Sequence, residues 1–226
     1  MNTFLWDVDG VFVDTERLHF EAWRELLKKL GGSHELTLDE YAHCAGRNSR
    51  ENTSLLCGAM GITPDFEKIN PIRRAIYENL RKKEIPIIER NIALIRALKR
   101  EFQSAKFIAV SAATRLEIEE NLAAAKIRDI FNDIISFEQD PTIQRKPKPD
   151  IYLFALKKHQ SEVSECIAFE DSASGVLAAI TAGIFCIALP NNFTKNQNFG
   201  QAAFVISSEE KVDVVINKLI PKLNTG

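Results

Sequence analysis

The stretch FLWDVDGVFVDTE, residues 4–16, decides how the rest of this chain is read. A short apolar run leads into Asp7 and Asp9, with only Val8 between them, followed by Gly10, a second apolar run and Asp14. The first run reads as a buried strand over residues 3–8, so the paired acids stand where that strand ends. Carboxylates this close repel each other unless something cationic lies between them. A plain Asp-x-Asp-Gly turn is the simpler account of the same residues. A calcium loop is excluded, because Leu18 occupies the position where its bidentate Glu would fall.

Working outward, His19, Trp23, Leu26, Leu27 and Leu30 share one helical face, and Gly31 and Gly32 end the pattern. Helices are expected near 37–45, 50–60 and 66–83, with no strand-like run among them. After Pro86 strands and helices alternate. Strands are expected at 106–110, 133–137, 166–169, 184–189 and 203–206, and helices at 91–101, 114–125, 149–160, 174–182 and 209–222. Such alternation predicts an α/β fold with a doubly wound parallel sheet. The expected organisation is a core from residues 1–14 and 88–226, interrupted by a small all-α insert at 15–87. Rooted beside the acidic strand end, that insert is placed to cover a site there, since ligands of open parallel sheets sit beyond the carboxyl ends of the strands.

Each core strand is followed by a polar group. Asp7 and Asp9 follow the first, Ser111 the second, the loop QRKPKPD with Lys146 the third, and Glu170 and Asp171 the fourth. Taken singly, each has a bland account. Ser111 can cap a helix, KPKPD can be a stiff linker, and EDS suits a helix start. Four such coincidences in order, each at a strand end, point instead to one shared site.

Bulk properties exclude other classes. A formal net charge of -2, with 45% hydrophobic and 27% charged residues, gives no electrostatic case for nucleic acid or an anionic membrane as partner. Cysteines 44, 57, 166 and 186 form no metal-ligand spacing and are expected to be buried free thiols. No signal peptide precedes Phe4 and no apolar stretch reaches spanning length, so a cytoplasmic location is expected.

WDVDGVFVDTE, Ser111, RKPKPD and FEDSASGV together resemble the four motifs of the haloacid dehalogenase-like superfamily. The fit is best to its subgroup with a small helical cap, which includes β-phosphoglucomutase and many sugar-phosphate phosphatases. The resemblance implies a Rossmann-like core and a Mg²⁺ cofactor. It implies that Asp7 is a nucleophile forming an aspartyl-phosphate, Asp9 the general acid and base, and Ser111 and Lys146 the holders of phosphoryl oxygens. Metal ligands would be Asp7, Asp171, the Asp9 carbonyl and, at second rank, Glu170. Gly10, His19, Trp23, Arg50 and Ala112 would contact the substrate, with Gly10 letting the loop turn. For His19 and Trp23 a packed helix face, and for Arg50 a solvated helix start, are competing accounts. Arg73 and Arg74 read as helical surface charge.

The activity implied is a Mg²⁺-dependent phosphatase of small phosphorylated metabolites, with sugar phosphates foremost. β-Phosphoglucomutase is the alternative, and a non-catalytic receiver-like phospho-acceptor a remote one. Asp9 argues against a dehalogenase or a phosphonatase. Val11 stands where many phosphatases carry Thr, and IPIIERN replaces the Pro-Gly usual before the helix at 91. A monomer or weak dimer is expected.

Overall fold

The structure is a computed structural model describing residues 2–44 and 47–223. The chain divides into two compact units, Met1–Val13 with Ile87–Gly226, and Asp14–Pro86.

The larger unit starts with β1 (Thr3–Trp6), whose four residues are all buried. Among the described residues the smaller unit's elements are all helices: α1 (Thr15–Lys29), α2 (Leu38–Ala42), α3 (Ser49–Ala59) and α4 (Phe66–Lys83). Asp14, Thr37, Asn48 and Asp65 accept backbone N–H bonds at the four helix starts, the chemistry that stabilises an N-terminus. The main packing pair is α1 with α4, which buries Trp23, Leu26 and Leu27 on one side and Ile69, Ile76 and Tyr77 on the other. The helix expected near 37–45 is shorter, ending at Ala42, and its expected last residue lies outside the described residues.

The larger unit continues with α5 (Glu89–Glu101), β2 (Lys106–Ser111), α6 (Arg115–Ala124), β3 (Asp133–Ser136), α7 (Asp150–His159) and β4 (Cys166–Glu170). It ends with α8 (Ala173–Thr181), β5 (Phe185–Ala188), β6 (Phe204–Val205) and α9 (Val212–Leu223). Among the described residues six strands form one sheet in the order β3-β2-β1-β4-β5-β6, and every pairing is parallel. The chain therefore runs outward from β1 on one side and restarts at β4 on the other. That reversal opens a crevice at the carboxyl ends of β1 and β4.

Register does the rest of the placement. Trp6 pairs with Phe169 and Ala109 with Ile134 and Trp6, so Asp7, Glu170 and Ser111 leave neighbouring strands at nearly the same height. Side chains alternate across the sheet. Leu5, Ile108, Val110 and Ala168 pack with Ile151, Tyr152, Ala155 and Ala179 of α7 and α8. Phe4, Trp6, Phe107 and Phe169 form an aromatic layer on the opposite face, with Trp6 stacked on Phe169 at 3.8 Å and 3°. Cys44, Cys57, Cys166 and Cys186 are buried free thiols, as the sequence predicts. Among the described residues no helix is long and apolar enough to cross a membrane.

The Trp6 indole N–H is buried with no acceptor among the described residues. Trp6→Ala is expected to cost about 3–5 kcal/mol through the cavity it leaves. Trp6→Phe, which discards the unsatisfied donor along with some volume, is expected to cost about 1–2 kcal/mol. Urea unfolding of the two variants against the parent measures the difference.

Candidate active site

Asp7 leaves β1 with its N–H bonded to the Phe169 carbonyl of β4 at 2.9 Å, which pins the strand end to its neighbour. Its carboxylate is buried, and Lys146 donates to its Oδ1 at 2.8 Å. The same ammonium donates to Glu170 Oε1 at 2.6 Å and to the Val110 carbonyl at 3.2 Å. All three ammonium protons are thus used. Tyr152, fully buried on α7, donates its hydroxyl to the same Glu170 oxygen.

Asp7, Glu170 and Asp171 each offer a carboxylate oxygen, and these oxygens lie within 4.8 Å of one another. Burial pushes the Asp7 carboxyl up to about 7; Lys146 pulls it down and the Glu170 charge pushes it up again. Burial also opposes the charge on Lys146, but Asp7 and Glu170 outweigh it and hold the ammonium above its ordinary range. Burial and then the Glu170 and Asp7 charges keep the Tyr152 phenol protonated.

Asp9, two residues on, is half-buried and doubly held. Ser111 donates to its Oδ2 at 3.0 Å and Asn121 of α6 to its Oδ1 at 3.0 Å. Ser111 Oγ accepts in turn from the Ala113 N–H at 3.0 Å. Gly10 has φ +76, and a Cβ there would meet Asp171 Oδ2 at 2.0 Å and Asn191 Nδ2 at 2.9 Å, so both backbone and space require glycine. Asn191, just past β5, donates to Asp171 Oδ2 at 2.7 Å and to the Gly10 carbonyl at 3.2 Å. The Ala112 carbonyl lies 3.4 Å from Arg145 Nη1.

The donor set suits a hard divalent cation. It consists of carboxylate oxygens without His or Cys, and Glu170 Oε2 is buried with no hydrogen-bond partner among the described residues. Three carboxylates face one lysine here, a charge deficit that a dication would fill.

The structure thus brings together Asp7, Asp9, Gly10, Ser111, Lys146, Glu170 and Asp171. Ala112 lies in the same unit, just past β2. The remaining candidates, His19, Trp23 and Arg50, belong to the helical unit and have partners within it. His19 stacks on Tyr77 at 4.1 Å and accepts at Nδ1 from Arg73 Nη1 at 3.1 Å. Burial, and after it the charges of Arg73 and Arg81, push its imidazole down to about 3, so it is neutral. Trp23 is buried with the Arg73 guanidinium 5.7 Å from its ring. Arg50 is exposed, donates to Glu67 at 2.7 Å and lies over the Phe66 ring. Arg73 corrects the sequence reading: it is buried, not surface charge, because it serves an imidazole and an indole on the facing helix. Asn121, Tyr152 and Asn191 were missed. For Asn191 a signal existed, since it too follows a core strand; a lone Asn or Tyr inside a helix carries none.

A model of the haloacid dehalogenase-like hydrolases matches residues 4–189. The chain belongs to that family. As one of these hydrolases it is an enzyme of the phosphatase and phosphotransferase kind. A phosphorylated carbohydrates phosphatase of Thermotoga maritima is 31% identical over 186 residues, covering 81% of this chain and 82% of the relative. A β-phosphoglucomutase of Bacillus subtilis is 27% identical over 192 residues, covering 83% and 82%. The crystal structure of a hydrolase of the same family from Deinococcus radiodurans, with bound phosphate and sodium, superposes with a TM-score of 0.79 at 21% identity, covering 98% of this chain and 96% of the other. That likeness concerns the fold.

Gly175 on α8 gives the site a steric test. A Cβ there would fall 1.9 Å from Glu170 Oε2, and Lys146 and Tyr152 hold that carboxylate from the other side. Gly175→Ala is expected to destabilise by about 1–3 kcal/mol through overpacking. Gly58→Ala on α3, where nothing lies within 4 Å of the new Cβ, is expected to stabilise. The gain there is about 0.5–1 kcal/mol, the helix penalty of glycine. Opposite shifts of the urea midpoint are the expected outcome.

Proposed function

We propose that this chain is a Mg²⁺-dependent phosphatase of small phosphorylated metabolites, sugar phosphates foremost, working through an aspartyl-phosphate on Asp7. The observation that carries the proposal is the buried cluster in which Lys146 bridges Asp7 and Glu170 beside Asp171, with Asp9 held two residues away. A lysine within reach of the proposed nucleophile and an independent carboxylic acid nearby meet the needs of phosphoryl transfer, which are positioning and charge compensation.

Asp7, Glu170, Asp171 and the Asp9 carbonyl would hold the metal. Bound there, Mg²⁺ supplies positive charge that offsets the carboxylates and the phosphoryl oxygens. In the first step an Asp7 carboxylate oxygen bonds to phosphorus while the bond from phosphorus to the ester oxygen breaks. Asp9 gives its proton to the departing ester oxygen. In the second step Asp9 takes a proton from water, the water oxygen bonds to phosphorus, and Asp7 is released with inorganic phosphate. Lys146 keeps the Asp7 carboxylate oriented and offsets its charge. Ser111 and Asn121 hold Asp9 between steps, and Ser111 turns to a phosphoryl oxygen when substrate is bound. Gly10, at φ +76, lets the loop after β1 turn so that backbone N–H groups there can face the phosphoryl group.

The helical unit selects the substrate in this reading, with Arg50, His19 and Trp23 as its candidate contacts. The name of the Thermotoga relative supports phosphorylated carbohydrates as the class. The Bacillus relative, together with Val11 and the His19–Trp23 pair, supports a second reading, transfer of the phosphoryl group between hydroxyls of one sugar.

A panel of phosphorylated metabolites assayed for released phosphate decides the class. Turnover is expected with Mg²⁺ and is expected to vanish on chelation. Asp7→Asn is expected to abolish turnover. Asp9→Asn is expected to lower it by about 10²–10⁴-fold, the usual contribution of a positioned acid–base group. Incubation with β-glucose 1-phosphate and a trace of the 1,6-bisphosphate separates the two readings. Glucose 6-phosphate formed without free phosphate establishes the mutase and overturns the phosphatase.

A further inference from the structure

Asn191 stands in LPNNFT, after β5, outside the motifs that supply the nucleophile, acid, lysine and metal carboxylates. Its side chain has every hydrogen-bonding position occupied. Oδ1 accepts from the Phe193 N–H at 2.9 Å and from the Thr194 N–H at 3.2 Å. Nδ2 donates to Asp171 Oδ2 at 2.7 Å and to the Gly10 carbonyl at 3.2 Å. The opposite orientation of the amide would set its NH₂ against two N–H donors and its oxygen against two acceptors, so the network admits one orientation. The turn is locked from beneath as well: the Asn191 N–H donates to Thr194 Oγ1 at 3.0 Å, and its carbonyl accepts from the Lys195 N–H at 2.9 Å. Asn191, Phe193 and Thr194 are buried.

A five-residue turn has thus spent its backbone on aiming one amide at one carboxylate. The amide reaches two elements that the sheet brings together from opposite ends of the sequence, the loop after β1 and the loop after β4. The same spot has no room for a methyl group on Gly10. Burying an amide in so tight a place without partners would be costly, and its partners are the Asp171 carboxylate, a proposed metal ligand, and the carbonyl of the residue after Asp9, whose own carbonyl is another proposed ligand.

We propose that Asn191 is a positioning residue that fixes the rotation of the Asp171 carboxylate relative to the Gly10 loop and thereby sets the affinity of the site for its divalent cation. The proposal rests on the metal-dependent reading given above. Asn191 acts through Asp171 and touches no reacting atom.

The test uses the full chain with Mn²⁺ alone, without substrate, and reads the free ion by electron paramagnetic resonance. Asn191→Ser retains a hydroxyl that can accept from the Phe193 and Thr194 amides but cannot reach Asp171 or Gly10. It is expected to bind Mn²⁺ about 10–100-fold more weakly, as losses of outer-shell partners do. Turnover lost at low Mg²⁺ is expected to recover in large part as Mg²⁺ is raised. Thr194→Val loosens the turn while leaving the amide in place, and is expected to shift affinity in the same direction by a smaller factor. Mn²⁺ affinity within twofold of the parent in Asn191→Ser overturns the proposal and leaves the phosphatase reading standing. Should that variant not fold, an unshifted affinity in Thr194→Val overturns it equally. A parent chain that binds no Mn²⁺ overturns both the proposal and the metal-dependent reading.

Discussion

The ammonium group of Lys146 is the contact on which the proposed chemistry of the larger unit depends. It joins Asp7 and Glu170, carboxylates from two adjacent strands, across a space from which water is almost excluded. Removing one member of a buried ion pair in general costs about 3–5 kcal/mol, because the remaining charge stays buried. The lysine is therefore part of the fold as well as of the site. It does not balance the site alone, since Asp171 adds a third buried carboxylate to the cluster. That imbalance is what the proposed binding of a dication would offset.

Sheet geometry explains why these groups meet. Parallel strands on either side of β1 end at matching heights, and the reversal of strand order leaves their ends uncovered by a crossover helix. Beneath the polar groups, the Trp6–Phe169 stack joins the same two strands that carry Asp7 and Glu170. The apolar layer thus fixes the spacing that the charged layer uses. Glycine completes the arrangement at two points, Gly10 against Asp171 and Gly175 against Glu170, where a side chain would occupy the carboxylate's place.

The helical unit has a polar interior of its own. A neutral His19 accepts from Arg73 and lies flat on Tyr77, and the Arg73 guanidinium lies 5.7 Å from the Trp23 ring. Arg73 ties α4 to His19 of α1 through Nη1, while its Nε stays buried with no hydrogen-bond partner among the described residues, so the polar contact sets how the two helices meet at a cost in desolvation. Arg73 had every mark of a solvated residue in the sequence, one of two consecutive arginines on a charged helix. Its neighbour Arg74 does remain exposed.

Element type and order, the parallel sheet and the four polar strand ends were legible in the sequence, because each is written locally, in apolar periodicity and in the residue that follows it. That rule singled out Asp7, Asp9, Ser111, Lys146, Glu170 and Asp171, which the sheet brings close together. Element lengths were less legible: β6 and α2 are shorter than their patterns suggested, as end residues are settled by caps and neighbours. Which acid the lysine touches, that Asn121 and Ser111 share Asp9, that Tyr152 reaches Glu170 and that Asn191 ties Asp171 to Gly10 were decided only by tertiary structure. Partners in these contacts lie up to 181 residues apart. A hydrogen bond between such positions leaves no trace in the spacing along the chain, since it exists only once the sheet has set their distance.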